Sequence, residues 1–195
     1  MPRDLMKKTA VIDIDNTLWQ FCDAFLEELR SINREFPPVE QWTTWDFFAP
    51  YCTEQQFMEA VNAIHYNQDS DTYLPYPHAK TFLAALKEQG YHVIIASHRA
   101  AETRKPTERW LKKHDLQYDE LHLSFDKTVL FDKAAVVVDD APQTLEKAVE
   151  HKAIGAGLLF PWNKAYAGNG FGLFRDLNEV LGYIEGRAAK SGKRK

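Results

Sequence analysis

Two aspartates near the start of the chain are the first residues with the types and spacing for chemistry. Asp13 lies inside the apolar run Val11–Ile14, and Asp15 follows that run directly. Successive side chains of a strand point to opposite faces, so a spacing of two predicts that both carboxylates project the same way. Carboxylates that close repel each other and need a neutralising cation. The pair therefore indicates a Mg²⁺ site, and the alternative is a polar strand end at which Asp15 or Asn16 starts a turn.

Polar residues of matching chemistry follow three later apolar runs. They are, in chain order, Ser97-His98-Arg99, Lys127 and Asp139-Asp140. If the runs are parallel strands, all of these residues meet at one edge of the sheet. There, one carboxylate can attack phosphorus and a second can transfer the proton, while Mg²⁺, lysine and hydroxyl groups bind the phosphate oxygens. The set predicts phosphoryl-transfer chemistry.

The hydrophobic patterns predict the elements that position these residues. Buried strands are predicted at Thr9–Ile14, Tyr91–Ala96, Leu121–Leu123, Ala134–Val138 and Ala153–Phe160. Helical patterns lie between or after them, at Ala79–Gln89, Pro106–His114, Pro142–His151 and Asp176–Ile184. This alternation predicts an α/β fold, with a Rossmann-like, mostly parallel sheet and helices on both faces.

One long segment, residues 19–74, breaks that alternation. It contains two helical patterns, Phe21–Phe36 and Thr53–Tyr66, and an aromatic cluster of Trp42, Trp45, Phe47 and Phe48. We expect a helical cap over the end of the first strand, with residues 1–18 and 75–187 forming the core domain and residues 188–195 a disordered basic tail. The cap aromatics either stack on a substrate or form the core of a small lobe.

Composition limits the partners and the compartment. The formal net charge is -4 over 195 residues, which argues against a long nucleic acid as ligand. No apolar stretch is long enough to span a membrane. Cys22 and Cys52 fit neither a metal spacing nor a disulfide framework. We therefore expect a cytoplasmic protein whose partner is a small molecule.

The four polar groups also resemble a known family. Asp13-Ile14-Asp15-Asn16-Thr17, Ser97, Lys127 and Asp139-Asp140 resemble, in order, the four motifs of the haloacid dehalogenase superfamily of phosphohydrolases. The resemblance implies that Asp13 is the nucleophile, Asp15 the general acid/base, and Ser97 and Lys127 the phosphate binders. It further implies a Mg²⁺ cofactor held by Asp13, by at least one of Asp139 and Asp140, and by the backbone carbonyl of Asp15. The acid at position 15 favours phosphate monoesters as the substrates, because dehalogenases and phosphonate-cleaving members of the superfamily lack an acid at this position.

A narrower resemblance concerns the substrate. Asp126–Leu130, Val137–Pro142 and Phe160–Asn163 are similar to the corresponding stretches of 5'(3')-deoxyribonucleotidases and their bacterial relatives. This implies a nucleoside monophosphate as substrate. Ser97-His98-Arg99 departs from that group, which has a threonine and a different continuation. We expect His98 and Arg99 beside the phosphate or its leaving group, and the alternative for Arg99 is a surface salt bridge. The alternatives are a sugar phosphate or another small phosphorylated metabolite, and a non-catalytic binding module; a homodimer is a further expectation.

The other histidines, His65 among them, show no ligand spacing and are interpreted as ordinary residues.

Overall fold

A six-stranded, entirely parallel sheet forms the centre of the molecule. The computed structural model describes residues 8–192. The strands are β1 (Thr9–Ile12), β2 (His92–Ser97), β3 (Glu120–Leu123), β4 (Ala134–Val138), β5 (Ile154–Leu158) and β6 (Gly172–Phe174). Their order across the sheet is β3-β2-β1-β4-β5-β6, and every neighbouring pair is parallel. The predicted α/β, Rossmann-like fold is confirmed.

Helices cover both faces of this sheet. They are α3 (Ala79–Glu88), α4 (Arg104–Lys113), α5 (Pro142–Glu150) and α6 (Leu177–Gly192), and two further helices, α1 (Phe21–Ile32) and α2 (Glu54–Tyr66), belong to the segment 19–74. Strand side chains alternate between two apolar layers, so that Ile12 joins the layer with α3, α4 and α6 whereas Val11 joins the layer with α5. Because both faces of the sheet are buried, the strands have nearly continuous apolar sequences.

The structure differs from the predicted elements at several places, among them the first helix, which ends at Ile32 and not at Phe36. Strand β1 ends at Ile12, so Asp13 and Asp15 lie in the loop after the strand. The short edge strand β6 was not predicted, because three residues carry no periodic signal. The disordered tail was wrong for residues 188–192, which continue α6, since Ala188-Ala189-Lys190 are good helix formers. Residues 193–195 of that prediction lie outside the described residues.

The segment 19–74 contains α1 and α2 and packs as an aromatic-rich unit. Its entry and exit lie side by side, because Trp19 bridges to Pro75 and the Tyr76 N–H donates to the Leu18 carbonyl at 2.8 Å. Helix α2 begins with a capping box in which the Thr53 side chain accepts from the Gln56 N–H. Trp42 is buried and stacks on Phe47 with ring centroids 4.1 Å apart. Among the described residues, no helix is both long enough and apolar enough to cross a membrane.

The strand order places a natural ligand site between β1 and β4. From β1 the chain proceeds to β2 and β3 on one side, and then returns to β4 on the other side of β1. In open α/β sheets, ligands bind in the crevice at the carboxyl ends of the strands where the strand order reverses. Asp13 follows β1 and Asp139 follows β4, so both residues lie at this crevice.

Candidate active site

Three buried carboxylates converge at the crevice. One carboxylate oxygen from each of Asp13, Asp139 and Asp140 lies within 4.8 Å of the others. The backbone holds two of these residues in place, because the Asp13 N–H donates to the Val138 carbonyl at 2.9 Å and the Asp139 N–H to Ala156 at 3.1 Å. β5 approaches so closely that a Cβ atom at Gly157 would lie 2.0 Å from the Asp139 carbonyl oxygen. Glycine at 157 thus permits this geometry.

Lys127 offsets part of the negative charge of this cluster. Its Nζ lies 2.7 Å from Asp13 Oδ1 and 2.6 Å from Asp139 Oδ2, and the side chain is buried. Burial alone would lower the pKa of Lys127, but the charges of Asp13 and Asp139 outweigh it and raise that pKa. One ammonium group faces three carboxylates, which leaves a net negative site.

The excess of negative charge contributes to raised pKa values of two of these carboxyl groups. Burial, together with Asp139 and Asp15, raises the pKa of Asp13 from 3.8 to about 8 even though Lys127 opposes the shift. Burial and the charges of Asp139 and Asp13 likewise raise the pKa of Asp140, whose Oδ2 accepts from Asn16 Nδ2 at 3.1 Å. Clustered carboxylate oxygens are the ligands that Mg²⁺ prefers, and a divalent cation would supply the missing charge. The donor set of Asp13, Asp139 and Asp140 therefore fits Mg²⁺.

The raised pKa of Asp13 predicts how stability depends on pH without metal. The folded protein binds this proton more tightly than the unfolded chain, so the contribution to stability declines as pH rises toward 8. Between pH 6.5 and 8 in EDTA we expect the Tm to fall by roughly 5 °C, and by less with Mg²⁺, which favours the carboxylate form. Thermal unfolding at the two pH values tests this. A metal-free Tm that is constant or rises over this interval would contradict it.

Asp15 lies beside the cluster but has different partners. Its Oδ1 accepts from Arg99 Nη2 at 2.6 Å, and its Oδ2 lies 3.1 Å from His65 Nε2 and accepts from Ser97 Oγ at 3.2 Å. Burial alone would raise the pKa of Asp15, but the positive charge of Arg99 and the His65 contact hold this pKa well below its usual range. Asp13 and Asp15 are therefore two neighbouring carboxyl groups with opposite proton affinities, an arrangement that suits different chemical duties.

The predicted site residues divide into those that reach the cavity and those that support it. Asp13, Asp15, His98, Lys127, Asp139 and Asp140 line a cavity of about 320 Å³ at the crevice. Ser97 and Arg99 are buried, donate to the Asp15 carboxylate and are not among the residues that line the cavity. The phosphate contact predicted for Ser97 and the contact with phosphate or leaving group predicted for Arg99 both stay predictions.

The predicted role of Asp15 as a metal ligand concerns its backbone. The Asp15 carboxylate is not part of the acidic cluster, because Arg99, His65 and Ser97 occupy both of its oxygens. The ligand expected from this residue was its backbone carbonyl, and that expectation stays a prediction.

Two contributors to the site were missed at the sequence level. His65 was interpreted as ordinary, yet it is buried against Asp15 across 50 positions of sequence. Asn16 binds the Asp140 carboxylate and adopts a positive φ of 55°. Its position inside the first motif was the signal for Asn16, because Asn tolerates this backbone conformation better than most residues. No local spacing distinguished His65 from the other histidines.

Apart from the polar site residues, the wall of the cavity is mostly aromatic and apolar. Residues of segment 19–74 supply most of this wall, and those that line the cavity are Phe21, Cys22, Phe25, Trp42, Thr44, Trp45, Phe47, Phe57, Met58, Val61 and His65. None of these lining residues is an acid, a lysine or an arginine. Trp45 on this wall and Phe125 on the core side are both largely exposed at the mouth of the cavity.

Fold and site together define a Rossmann-like α/β protein with a carboxylate-rich, candidate cation-dependent active centre at its topological switch point. A family model for haloacid dehalogenase-like hydrolases matches residues 7–152. The chain belongs to the haloacid dehalogenase-like hydrolase family.

Solved structures share this fold at low sequence identity. A haloacid dehalogenase-like family protein from Streptococcus pneumoniae aligns with a TM-score of 0.64 and 16% identity, covering 91% of this chain and 98% of that one. A predicted phosphatase from Clostridium acetobutylicum gives a TM-score of 0.65 and 15% identity, with coverages of 91% and 98%. A Thermotoga maritima protein assigned as a beta-phosphoglucomutase gives 0.61 and 15%, again covering 91% and 98%. No curated protein matches the chain by sequence.

Proposed function

We propose that this protein is a Mg²⁺-dependent phosphomonoesterase that forms an aspartyl phosphate on Asp13. The observation that carries the proposal is the position of the Asp13 carboxylate. It faces the cavity beside Lys127, shares the acidic cluster with Asp139 and Asp140, and has Asp15 two residues away. A nucleophile, a cation site, a phosphate-binding ammonium and an acid/base are thereby assembled in one cavity.

Each residue has a separate duty in this reaction. The Asp13 carboxylate attacks phosphorus, and the bond from phosphorus to the leaving oxygen breaks as that oxygen takes a proton from Asp15. Asp15 then accepts a proton from the water that attacks the aspartyl phosphate, which releases phosphate and restores Asp13. Lys127 Nζ binds the negatively charged oxygens of the phosphoryl group. Mg²⁺ held by Asp13, Asp139 and Asp140 would offset the charge of the carboxylates and of the phosphate.

For the substrate we propose a nucleoside monophosphate. The aromatic wall supports this choice, because a planar base gains by stacking on aromatic side chains. A cavity of about 320 Å³ suits a small molecule and not a long nucleic acid. A small sugar phosphate is the alternative, since the Thermotoga maritima structure of this fold is assigned to a sugar-phosphate enzyme. On the sequence grounds above we place this activity in the cytoplasm.

The proposal is tested by release of inorganic phosphate from a substrate panel. We expect hydrolysis of p-nitrophenyl phosphate that requires Mg²⁺ and stops in EDTA. Among natural esters we expect the kcat/KM of nucleoside monophosphates to exceed that of hexose phosphates by about tenfold. This ratio corresponds to the free energy that stacking of the base on one or two aromatic side chains contributes. Equal rates for both groups would remove the nucleotide preference, and the absence of any Mg²⁺-dependent hydrolysis would remove the phosphatase.

A further inference from the structure

Asp15 is bound on both carboxylate oxygens by three side chains. Arg99 Nη2 donates to Oδ1 at 2.6 Å, while His65 Nε2 and Ser97 Oγ lie 3.1 and 3.2 Å from Oδ2. Only an Nε2–H tautomer of His65 attracts a carboxylate at this distance, because two lone pairs would repel each other. His65 Nδ1 is then an acceptor, and it is buried with no hydrogen-bond partner among the described residues. The imidazole thus leaves one nitrogen unsatisfied while the other contacts Asp15.

Two residues at the end of helix α2 and just after it help to hold the Asp15 carboxylate in place. His65 belongs to the last turn of α2, and Gln68 lies three residues further on, just past the end of that helix. Gln68 Oε1 accepts from Arg99 Nη1, and Thr107 Oγ1 accepts from the same nitrogen at 2.9 Å. Arg99 and Gln68 are both buried, so the guanidinium has little freedom to move. The segment 19–74 therefore fixes Asp15 directly through His65 and indirectly through Gln68 and Arg99.

We propose that His65 and Gln68 are positioning residues that hold Asp15 as the carboxylate base for hydrolysis of the aspartyl phosphate. This inference rests on the phosphatase function proposed above. Donors on both oxygens fix the position and the direction of this carboxylate. In the assigned step, Asp15 takes a proton from water as the water oxygen bonds to phosphorus. The bond between phosphorus and Asp13 breaks, and inorganic phosphate and the Asp13 carboxylate are released.

The choice of p-nitrophenyl phosphate separates this step from the first one. Its leaving group departs as a stabilised phenolate and needs no proton, so formation of the intermediate does not depend on Asp15. The ratio kcat/KM then reports formation of the aspartyl phosphate, and kcat reports its hydrolysis when that step is slow.

For His65→Leu we expect kcat to fall about tenfold while kcat/KM changes less than about twofold, so that KM falls in parallel with kcat. The aspartyl phosphate should accumulate, seen as a rapid burst of p-nitrophenol before the steady state. A purely structural defect would lower kcat/KM as well and would produce no burst.

Three further variants make the test specific. His65→Gln keeps an N–H donor and should recover part of kcat, and Gln68→Met, which removes an acceptor of Arg99, should show the same kinetic pattern more weakly. These two decide the outcome if His65→Leu does not fold. His151→Gln is the matched control, since His151 is partly exposed and pairs with Asp132.

Two results would overturn the inference while leaving the phosphatase intact. One is an unchanged kcat in His65→Leu and Gln68→Met, and the other is an equal fall of kcat and kcat/KM without a burst. A wild-type protein that hydrolyses no phosphate ester overturns the proposed function, and this inference with it.

Discussion

Replacing Asp13 with asparagine is expected to abolish phosphate-ester hydrolysis, lowering kcat by at least ~10³-fold. An amide does not attack phosphorus to form a stable acyl phosphate, and Asp13→Asn also removes one oxygen anion from the acidic cluster. The measurement is steady-state hydrolysis of p-nitrophenyl phosphate at saturating Mg²⁺. Acid-stable trapping of a phosphorylated wild-type protein would show the intermediate directly.

The loss in Asp13→Asn should not come from unfolding. One lysine then faces two carboxylates instead of three, so repulsion falls and the metal-free variant should be at least as stable as the wild type. Asp23→Asn is the matched control, because Asp23 is exposed on α1 and lies outside the cavity lining. Undiminished hydrolysis by Asp13→Asn would exclude Asp13 as the nucleophile.

Lys127→Met is expected to produce the largest loss of stability. Lys127 Nζ is within 2.7 Å of both Asp13 and Asp139, and its removal leaves buried carboxylates without their protein cation. Breaking a buried ion pair in this way costs about 3–5 kcal/mol, which corresponds to a fall in Tm on the order of 10 °C. Thermal unfolding in EDTA measures this effect.

The metal response gives the same variant a second readout. Mg²⁺ should raise the Tm of Lys127→Met by more than it raises that of the wild type, since the cation replaces a charge that the variant lacks. Hydrolysis should fall as well, because the ammonium no longer binds the phosphate oxygens. Lys133→Met is the matched control: Lys133 is exposed and nearby in sequence, and should change neither stability nor activity. If Lys127→Met behaves like Lys133→Met, Lys127 is not the cation of the site.

Much of the core follows from local patterns that are readable in the chain. Strand β4 and helices α3 and α5 were predicted to within a residue or two, because a strand buried on both faces reads as a continuous apolar run and helix ends carry cap signals. The acidic cluster was also predictable, since Asp13 and Asp139 directly follow strands that are adjacent in the sheet. Parallel strands necessarily bring such positions to one edge.

What surrounds Asp15 could not be predicted in this way. His65 is one polar residue on an amphipathic helix. Its contact with Asp15 depends on how α2 packs against the core, and the spacing of residues in the sequence does not predict that packing. Arg99 was expected beside the phosphate or its leaving group, and the structure adds that its guanidinium is buried and donates to Gln68 and Thr107. Long-range packing among three separate segments decides both orientations.

Five of the six strands, the residues that follow them and the kind of chemistry that clustered carboxylates with a lysine can perform were readable in the sequence. That information is local, because burial and chain direction follow from the pattern within each segment. Which side chains hold Asp15, and which wall faces Asp13, depends on the tertiary structure. Those choices arise from contacts between residues 50 or more positions apart, and their free energy depends on packing that exists only once the segments have come together.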